Sequence, residues 1–387
     1  MIAQSAHPLS PKVSILFNGV EVNYTSIVSL TLELDENKHD VCSITMAGIN
    51  PRAITDYIDA AVYVSISSGE YRTQEFCGYV MYVEPTSDTS SGLVNDSPFQ
   101  TTNIVCFGAS LVMRGAKTKL WNNTSISVLA QSLADAYSFS LATPSDTFAY
   151  PRLVQQSESD WEFLTRVATT YGYRVTVHGT NMHIWDQNKA LGRLPSYTVL
   201  TTMRKQLDAQ PGMILRFEGS FGYVTPDGAS TSYKTVALDS TGKMTTVKSE
   251  DLPRASISGK LSASKYTSNI YAPSQTVEEA KHFIEVQNKS GFPFNAEVDI
   301  TAGAGIVPGG IVKIDEYNSN FDGIWYVRSV AHNVGGTHYS THLSISRDFV
   351  LTKDFQIPSV QKMVTPPPPK FVSGTWMSSS PKVTKYV

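Results

Sequence analysis

The sequence predicts a mainly β protein with a small α/β insert, and three observations carry that prediction. Residues 12–107 offer five or six short alternating strands with almost no helix among them. One dense stretch, Tyr150–Asp186, reads as a helix followed by a hairpin. From Ala296 to Phe349 the pattern returns to short strands broken by glycine turns. The 387 residues are enough for two or three domains with cores of their own.

In chain order, Val13, Ile15 and Phe17 alternate, Asn18-Gly19 is a two-residue hairpin turn, and Val20 and Val22 resume the alternation. Further strands are expected at Val41–Met46, Val62–Ser67, Phe76–Val83 and Asn103–Phe107, a set that fits a small antiparallel barrel over residues 1–110. The Ser/Asp/Gly-rich piece Thr86–Pro98 reads as a loop. Residues 111–190 form an α/β module. Its first helix runs from about Ser125 to Tyr137, with Thr124 as a cap and Ile126, Leu129, Ala130, Leu133, Ala136 and Tyr137 on one face.

The module's second helix is the clearest element of the chain. Ser159 and Glu162 make a capping box, Asp160 suits the positive end of the helix dipole, and Trp161, Leu164, Val167, Ala168 and Tyr171 recur at helical spacing. Gly172 ends it, and strands Tyr173–His178 and Met182–Asp186 follow. A second β-rich region spans 191–349. It has strands Leu215–Phe217 and Phe221–Val224 flanking a turn, a hairpin about Asp239–Gly242, and a helix at 276–290 opened by Thr276 and Glu279 and closed at Gly291. Turns at Gly303–Gly305 and Pro308–Gly310 surround Ile311–Ile314, and a hairpin about Gly335-Gly336 joins Gly323–Ala331 to His338–Ser346. Residues 350–387 lose the pattern. Pro366–Pro369 favours an extended conformation, and this tail needs a partner to lie on.

Composition narrows the function. Charged residues are 17% of the chain, below the usual ~25% of soluble domains, and the net charge of -3 excludes the basic footprint of a nucleic-acid reader. No charged n-region with an apolar run opens the chain, and no segment approaches a membrane span, so folding in a cytoplasm is expected. Cys42, Cys77 and Cys106 each sit in an apolar strand and read as buried thiols. The residues that could suggest catalysis or metal binding fit ordinary structural roles. His338 and His342 share one strand face but lie about 13 Å apart, too far to ligate one ion at ~2 Å. His332 facing His338 across the hairpin would supply only two ligands. Glu158, Asp160 and Glu162 are explained by helix capping, and Asp315, Glu316 and Asp322 by a turn. Trp161 and Trp325 fit periodic core positions better than sugar platforms. No catalytic residue, cofactor or metal is expected.

The run Gln155-Gln156-Ser157-Glu158-Ser159-Asp160, with Phe163-Leu164, Arg166 and Gly172, resembles the Q–x–E–S–D–x–x–F–L–x–R signature of the phage late-control protein D and baseplate hub family. That family is related to the VgrG-like trimeric spike proteins of type VI secretion. The Pro-Gly, short strand and Gly-Ile-Trp-Tyr-Val pattern after residue 306 is similar to the family's second barrel. The resemblance implies two tube-like antiparallel β-barrels, with the α/β module to one side. It also implies a homotrimer whose barrels make a pseudo-sixfold ring, joining the hexameric tail tube to a threefold central spike while the genome passes through. The 350–387 tail would then meet the spike or a baseplate wedge subunit. The alternatives are a tail-associated cell-wall hydrolase and a receptor- or carbohydrate-binding tail-tip module. The first needs a cleft of convergent carboxylates or a metal, the second exposed aromatics on a loop-rich face.

Overall fold

The computed structural model describes residues 11–22, 27–47, 57–68, 72–87, 100–143, 148–190, 197–202, 211–221, 232–248, 267–269, 276–289, 294–315, 317, 321–336, 338–347, 370–372 and 375–377. Its first third is an antiparallel array of strands: β1 (Pro11–Phe17), β2 (Val20–Glu21), β3 (Ile27–Asp35), β4 (Val41–Ala47), β5 (Ala61–Ser68), β6 (Arg72–Ser87) and β7 (Gln100–Gly108). The Asn18-Gly19 turn has positive φ at both residues, +50° and +82°, as the primed hairpin turn requires. Alternation then sends Leu30, Leu32, Leu34, Cys42, Ile44, Met46, Ile104 and Cys106 inward, all buried.

The module follows: a 3-10 turn at Ala109–Arg114, β8 (Ala116–Thr124), α1 (Ile126–Tyr137), β9 (Ser140–Ala142), β10 (Tyr150–Ser159), α2 (Asp160–Thr170), β11 (Tyr173–His178), β12 (Asn181–Asp186) and the short α3 (Gln187–Ala190). It has its own core of Leu129, Leu133, Tyr150, Phe163, Leu164, Val175 and Met182 among others. Ser125, not Thr124, caps α1: its hydroxyl accepts from Val128 N, while the Thr124 hydroxyl reaches the Ser125 carbonyl. The capping box at Ser159 and Glu162 is present, and Gly172 adopts φ +79° just past α2.

The last part comprises β13 (Tyr197–Thr202), β14 (Met213–Phe221), β15 (Ser232–Leu238), β16 (Met244–Lys248), β17 (Thr267–Asn269), α4 (Val277–Lys289), β18 (Phe294–Thr301), β19 (Ile311–Ile314), β20 (Gly323–Gly335) and β21 (His338–Arg347), with a small β22–β23 ribbon (Lys370–Val372, Thr375–Met377). β14 runs unbroken through the expected turn at 218–220. Gly219 signals a crowded strand there, because a Cβ would lie 2.9 Å from the Phe217 and Phe321 rings. The rest of that reading (Gly222–Val224), the Gly291 stop, most of the Thr86–Pro98 loop and Pro366–Pro369 fall outside the described residues; β6 itself continues through Ser87.

Two features organise the β structure. In the second half β14, β18, β21, β20, β19 and β13 are paired in a closed circuit. The first half repeats the same succession of neighbours, β3-β4-β7-β6-β5-β1, but β1 and β3 are not paired, so its sheet curls without closing. The halves are welded by β20. A bulge between Val327 and Ser329 lets its first part pair with β19 and its second part with β3, from Ser329↔Asp35 to Gly335↔Ser29. One hydrophobic core, from Ile15 to Ile345, therefore runs through both halves.

Candidate functional site

The signature residues form a latch between β10 and α2. The β10–β8 ladder is bulged between Gln155 and Glu158, with Ser157 at φ +52°. Buried Gln155 donates from Nε2 to the Glu158 carbonyl (3.1 Å) and to Asp160 Oδ1 (2.9 Å). Lys117 Nζ and the Tyr137 hydroxyl both donate to Asp160 Oδ2 at 2.5 Å. Arg166 ties Glu158 Oε2 at 3.0 Å and the Val154 carbonyl at 2.9 Å. Burial works against a charged Asp160, but the bonds from Lys117, Tyr137 and Gln155 outweigh it and hold its carboxyl below the ordinary range. Glu162 is held low by the capping-box bonds to Ser159. Each carboxylate of the cluster is thus engaged in bracing the helix start.

A second polar cluster joins the three parts of the chain. Glu36, at the end of β3, is 7% exposed. Its carboxylate accepts from the Tyr326 hydroxyl and faces Arg174 Nε at 3.4 Å and Arg328 Nε at 3.6 Å. Arg328 is the extra residue of the β20 bulge. Trp185 Nε1 donates to the Tyr326 hydroxyl at 2.9 Å, which brings β12 into the same network. Burial is the largest influence on Glu36 and raises its pKa, while Tyr326 and the two guanidiniums pull it back. Beside it, Asn37 exchanges two bonds with Val175, and His178 Nδ1 lies 2.8 Å from Asp40 Oδ2. On the other flank the Tyr171 hydroxyl donates to Glu279 at 2.6 Å, fastening α4 to the module. Buried polar contacts between segments so distant in sequence hold the parts in one orientation.

The third feature is a surface. The face of the β14-β18-β21-β20-β3-β4-β7 run that points away from the core carries rows of small polar side chains. One row follows the pairings Ser340–Asn333–Thr31–Ser43, and Thr31 donates to Asn333 at 3.2 Å. Its charges are chiefly Glu33, Glu218, Glu297 and Asp299, with Glu84 continuing them on the adjoining β6. Of the described basic residues, Arg216 lies on it and Arg328 at its margin, and both are ion-paired, Arg216 with Glu218 and Asp299 and Arg328 with Glu36. His342 is held between Asp299 (2.7 Å) and Glu297 (3.1 Å). The face is polar and weakly acidic, and it spans both halves.

Comparison with known proteins agrees with this architecture. A family profile, the phage tail baseplate hub (GPD), matches residues 42–337. The chain belongs to the phage tail baseplate hub family. Among solved structures, this hub protein is similar to a Neisseria meningitidis tail protein (TM-score 0.62, 11% identity, covering 88% of this chain and 97% of that one). It is also similar to the 43 kDa tail protein of prophage MuSo2 from Shewanella oneidensis (0.58, 14%, 87% and 98%). A third likeness is to an Escherichia coli type VI secretion component described as structurally similar to the T4 tail proteins gp27 and gp5 (0.52, 10%, 95% and 79%). At such identities these likenesses speak for the fold alone. Comparison with curated proteins gives no match.

In this hub protein His332, His338 and His342 do not converge. His332 is fully buried rather than solvated; its Nδ1 meets the Tyr339 hydroxyl at 2.9 Å and Thr341 Oγ1 at 3.3 Å. Its cross-strand partner is Thr341, whereas exposed His338 stands opposite Gly335, so the expected facing of His332 and His338 does not occur. The short hairpin turn after Gly335 sets that register, which holds unbroken back to Ser329. Among the described residues, no three His, Cys, Asp or Glu side chains gather as a metal would require. Cys42 and Cys106 are direct partners across β4–β7, a proximity their sequence spacing hides. All three thiols are free and buried, and burial pushes their pKa values up. Trp161 and Trp325 are 5% and 0% exposed and belong to cores. The Glu36 junction was not foreseen, because no local pattern marks a residue whose partners lie 138 to 292 positions away.

Proposed function

We propose that three copies of this hub protein close into a pseudo-sixfold ring that joins the hexameric tail tube to a threefold spike, with the genome passing through its centre. The observation that carries this reading is the polar, weakly acidic sheet face that continues across both halves. Facing a pore, it would repel phosphates and offer no cluster of free cations to hold them. The Glu36 junction supports a mechanical role, since it keeps the two halves and the module in register. The protein acts without catalysis, is made in the cytoplasm of the bacterial host, and reaches the spike or a wedge subunit through residues 350–387. Its signature carboxylates serve as helix braces, which gives a hydrolase nothing to work with there. Charge reversal tests the pore assignment. Particles carrying Glu33→Lys, Glu297→Lys and Asp299→Lys together are expected to assemble with the normal number of hub copies and to eject DNA at least several-fold more slowly. Unchanged ejection from such particles would contradict the assignment.

A further inference from the structure

Two edges of the large sheet have no strand paired to them among the described residues. β5 pairs with β6 only from Arg72 to Tyr79, so Tyr82–Ser87 are bonded to β7 alone. β13 reaches only Met213 and Ile214 of β14, so Arg216–Phe221 are bonded to β18 alone. Exposed apolar side chains mark both places, Tyr82 at 52% and Leu215 at 50%.

These edges are the counterparts of two that do meet inside the chain. β6 corresponds to β20. Val80 exchanges backbone bonds with Asp59 and Ala60, just as Val327 does with Gly309 and Gly310. A bulge follows in each, between Val80 and Tyr82 and between Val327 and Ser329. β14 likewise corresponds to β3: the bulge at Ile214/Arg216 matches that at Ile27/Ser29, and the extra residues Leu215 and Val28 are both exposed. Past its bulge, β20 pairs with β3. Past its own bulge, β6 meets an open edge.

We infer that β6 of one copy pairs with β14 of a second copy in the register of the in-chain β20–β3 ladder. This rests on the ring reading above and names the contact that closes the ring. Transferring the register puts Val83 opposite Phe221, Glu84 opposite Ser220 and Pro85 opposite Gly219 of the neighbour. Each copy gives one edge and receives the other, so the contact is heterologous and propagates around an axis until it closes. Each barrel then meets the next by the same kind of ladder, within a chain or between chains, and the polar face runs on without a seam. Counting from the bulge, residues 83, 85 and 87 aim their backbone at the open edge. Pro85 has no N–H to donate there, which leaves the ladder one bond short and discourages pairing with unrelated strands.

Glu84 and Ser220 would then form a non-hydrogen-bonded pair with Cα atoms about 4.5 Å apart, within disulfide reach. Both are exposed, and the native cysteines are buried. The test is mild oxidation of the full chain carrying Glu84→Cys and Ser220→Cys, with non-reducing electrophoresis beside mass measurement in solution. Thermal melts of the single variants, matched to the parent, establish that the substitutions leave the fold intact. The double variant is expected to give covalent trimers. A mixture of the two single variants should give covalent dimers only, and neither single variant alone should cross-link between these positions. A species with trimer mass but no cross-link would overturn the edge assignment and leave the ring reading standing. A protein that stays monomeric by mass, even with its tube and spike partners present, would overturn both.

Discussion

At the scale of single residues, burial decides which groups titrate. His332 is sealed in the core, and desolvation lowers its pKa from 6.5 to about 3. Between those values the unfolded chain takes up a proton that the folded chain refuses. Stability is therefore complete above 6.5 and falls by about 1.4 kcal/mol for each pH unit below it, down to about pH 3. Asp160 works in a lower window. Its depressed pKa contributes stability above the ordinary carboxylate value of 3.8, and that contribution is lost as the pH falls further. Urea midpoints measured from pH 7 to pH 5 should decline for the parent protein. They should decline clearly less for His332→Gln, which keeps a polar partner for Tyr339 without the basic nitrogen. Equal slopes in both proteins would contradict this account of His332. Such single-residue behaviour was not legible beforehand: the sequence pattern ends the strand at Ala331, whereas β20 continues to Gly335 and its bulge shifts the inward set from Trp325 and Val327 to Val330, His332 and Val334.

At the scale of elements, local patterns were legible and distant ones were not. Helix α2 could be read because its cap, apolar stripe and terminating glycine lie in one continuous local stretch, Ser159 to Gly172. β8 was missed since Ala116–Asn123 is exposed or half-exposed on both faces, which leaves no alternation to see. β10 was missed because the bulge at Gln155/Glu158 breaks its period. The signature was visible, yet its role as a latch depends on Lys117 and Tyr137, which lie outside the signature. Gly309 shows how an element boundary is set by tertiary contact. It sits in the turn before β19 at φ +78°, and a Cβ there would come within 2.6 Å of the Trp185 indole. Gly309→Ala should destabilise the protein by about 2 kcal/mol or more, from left-handed strain plus displacement of that ring. Tryptophan emission should shift with it. A neutral effect in chemical denaturation would show that the module and the second barrel are not in firm contact at this point.

For the whole molecule, the decisive features are the repeat and the weld. The first half and the second follow one succession of strand neighbours, but β3 and β20 stand about three hundred residues apart, and no periodicity announces that they pair. Two barrels were expected from resemblance; that they share one sheet and one core required coordinates. The two halves are therefore tied to one another by the β20–β3 ladder and by the Glu36 junction. The central claim is that this unit repeats around an axis. Its most direct test is the symmetry of the particle, seen in two-dimensional cryo-EM averages of the purified protein or of tail tips. A three-copy ring with six similar lobes around an open centre is the expected result. A closed monomer that fails to form rings with its tube and spike partners would contradict it.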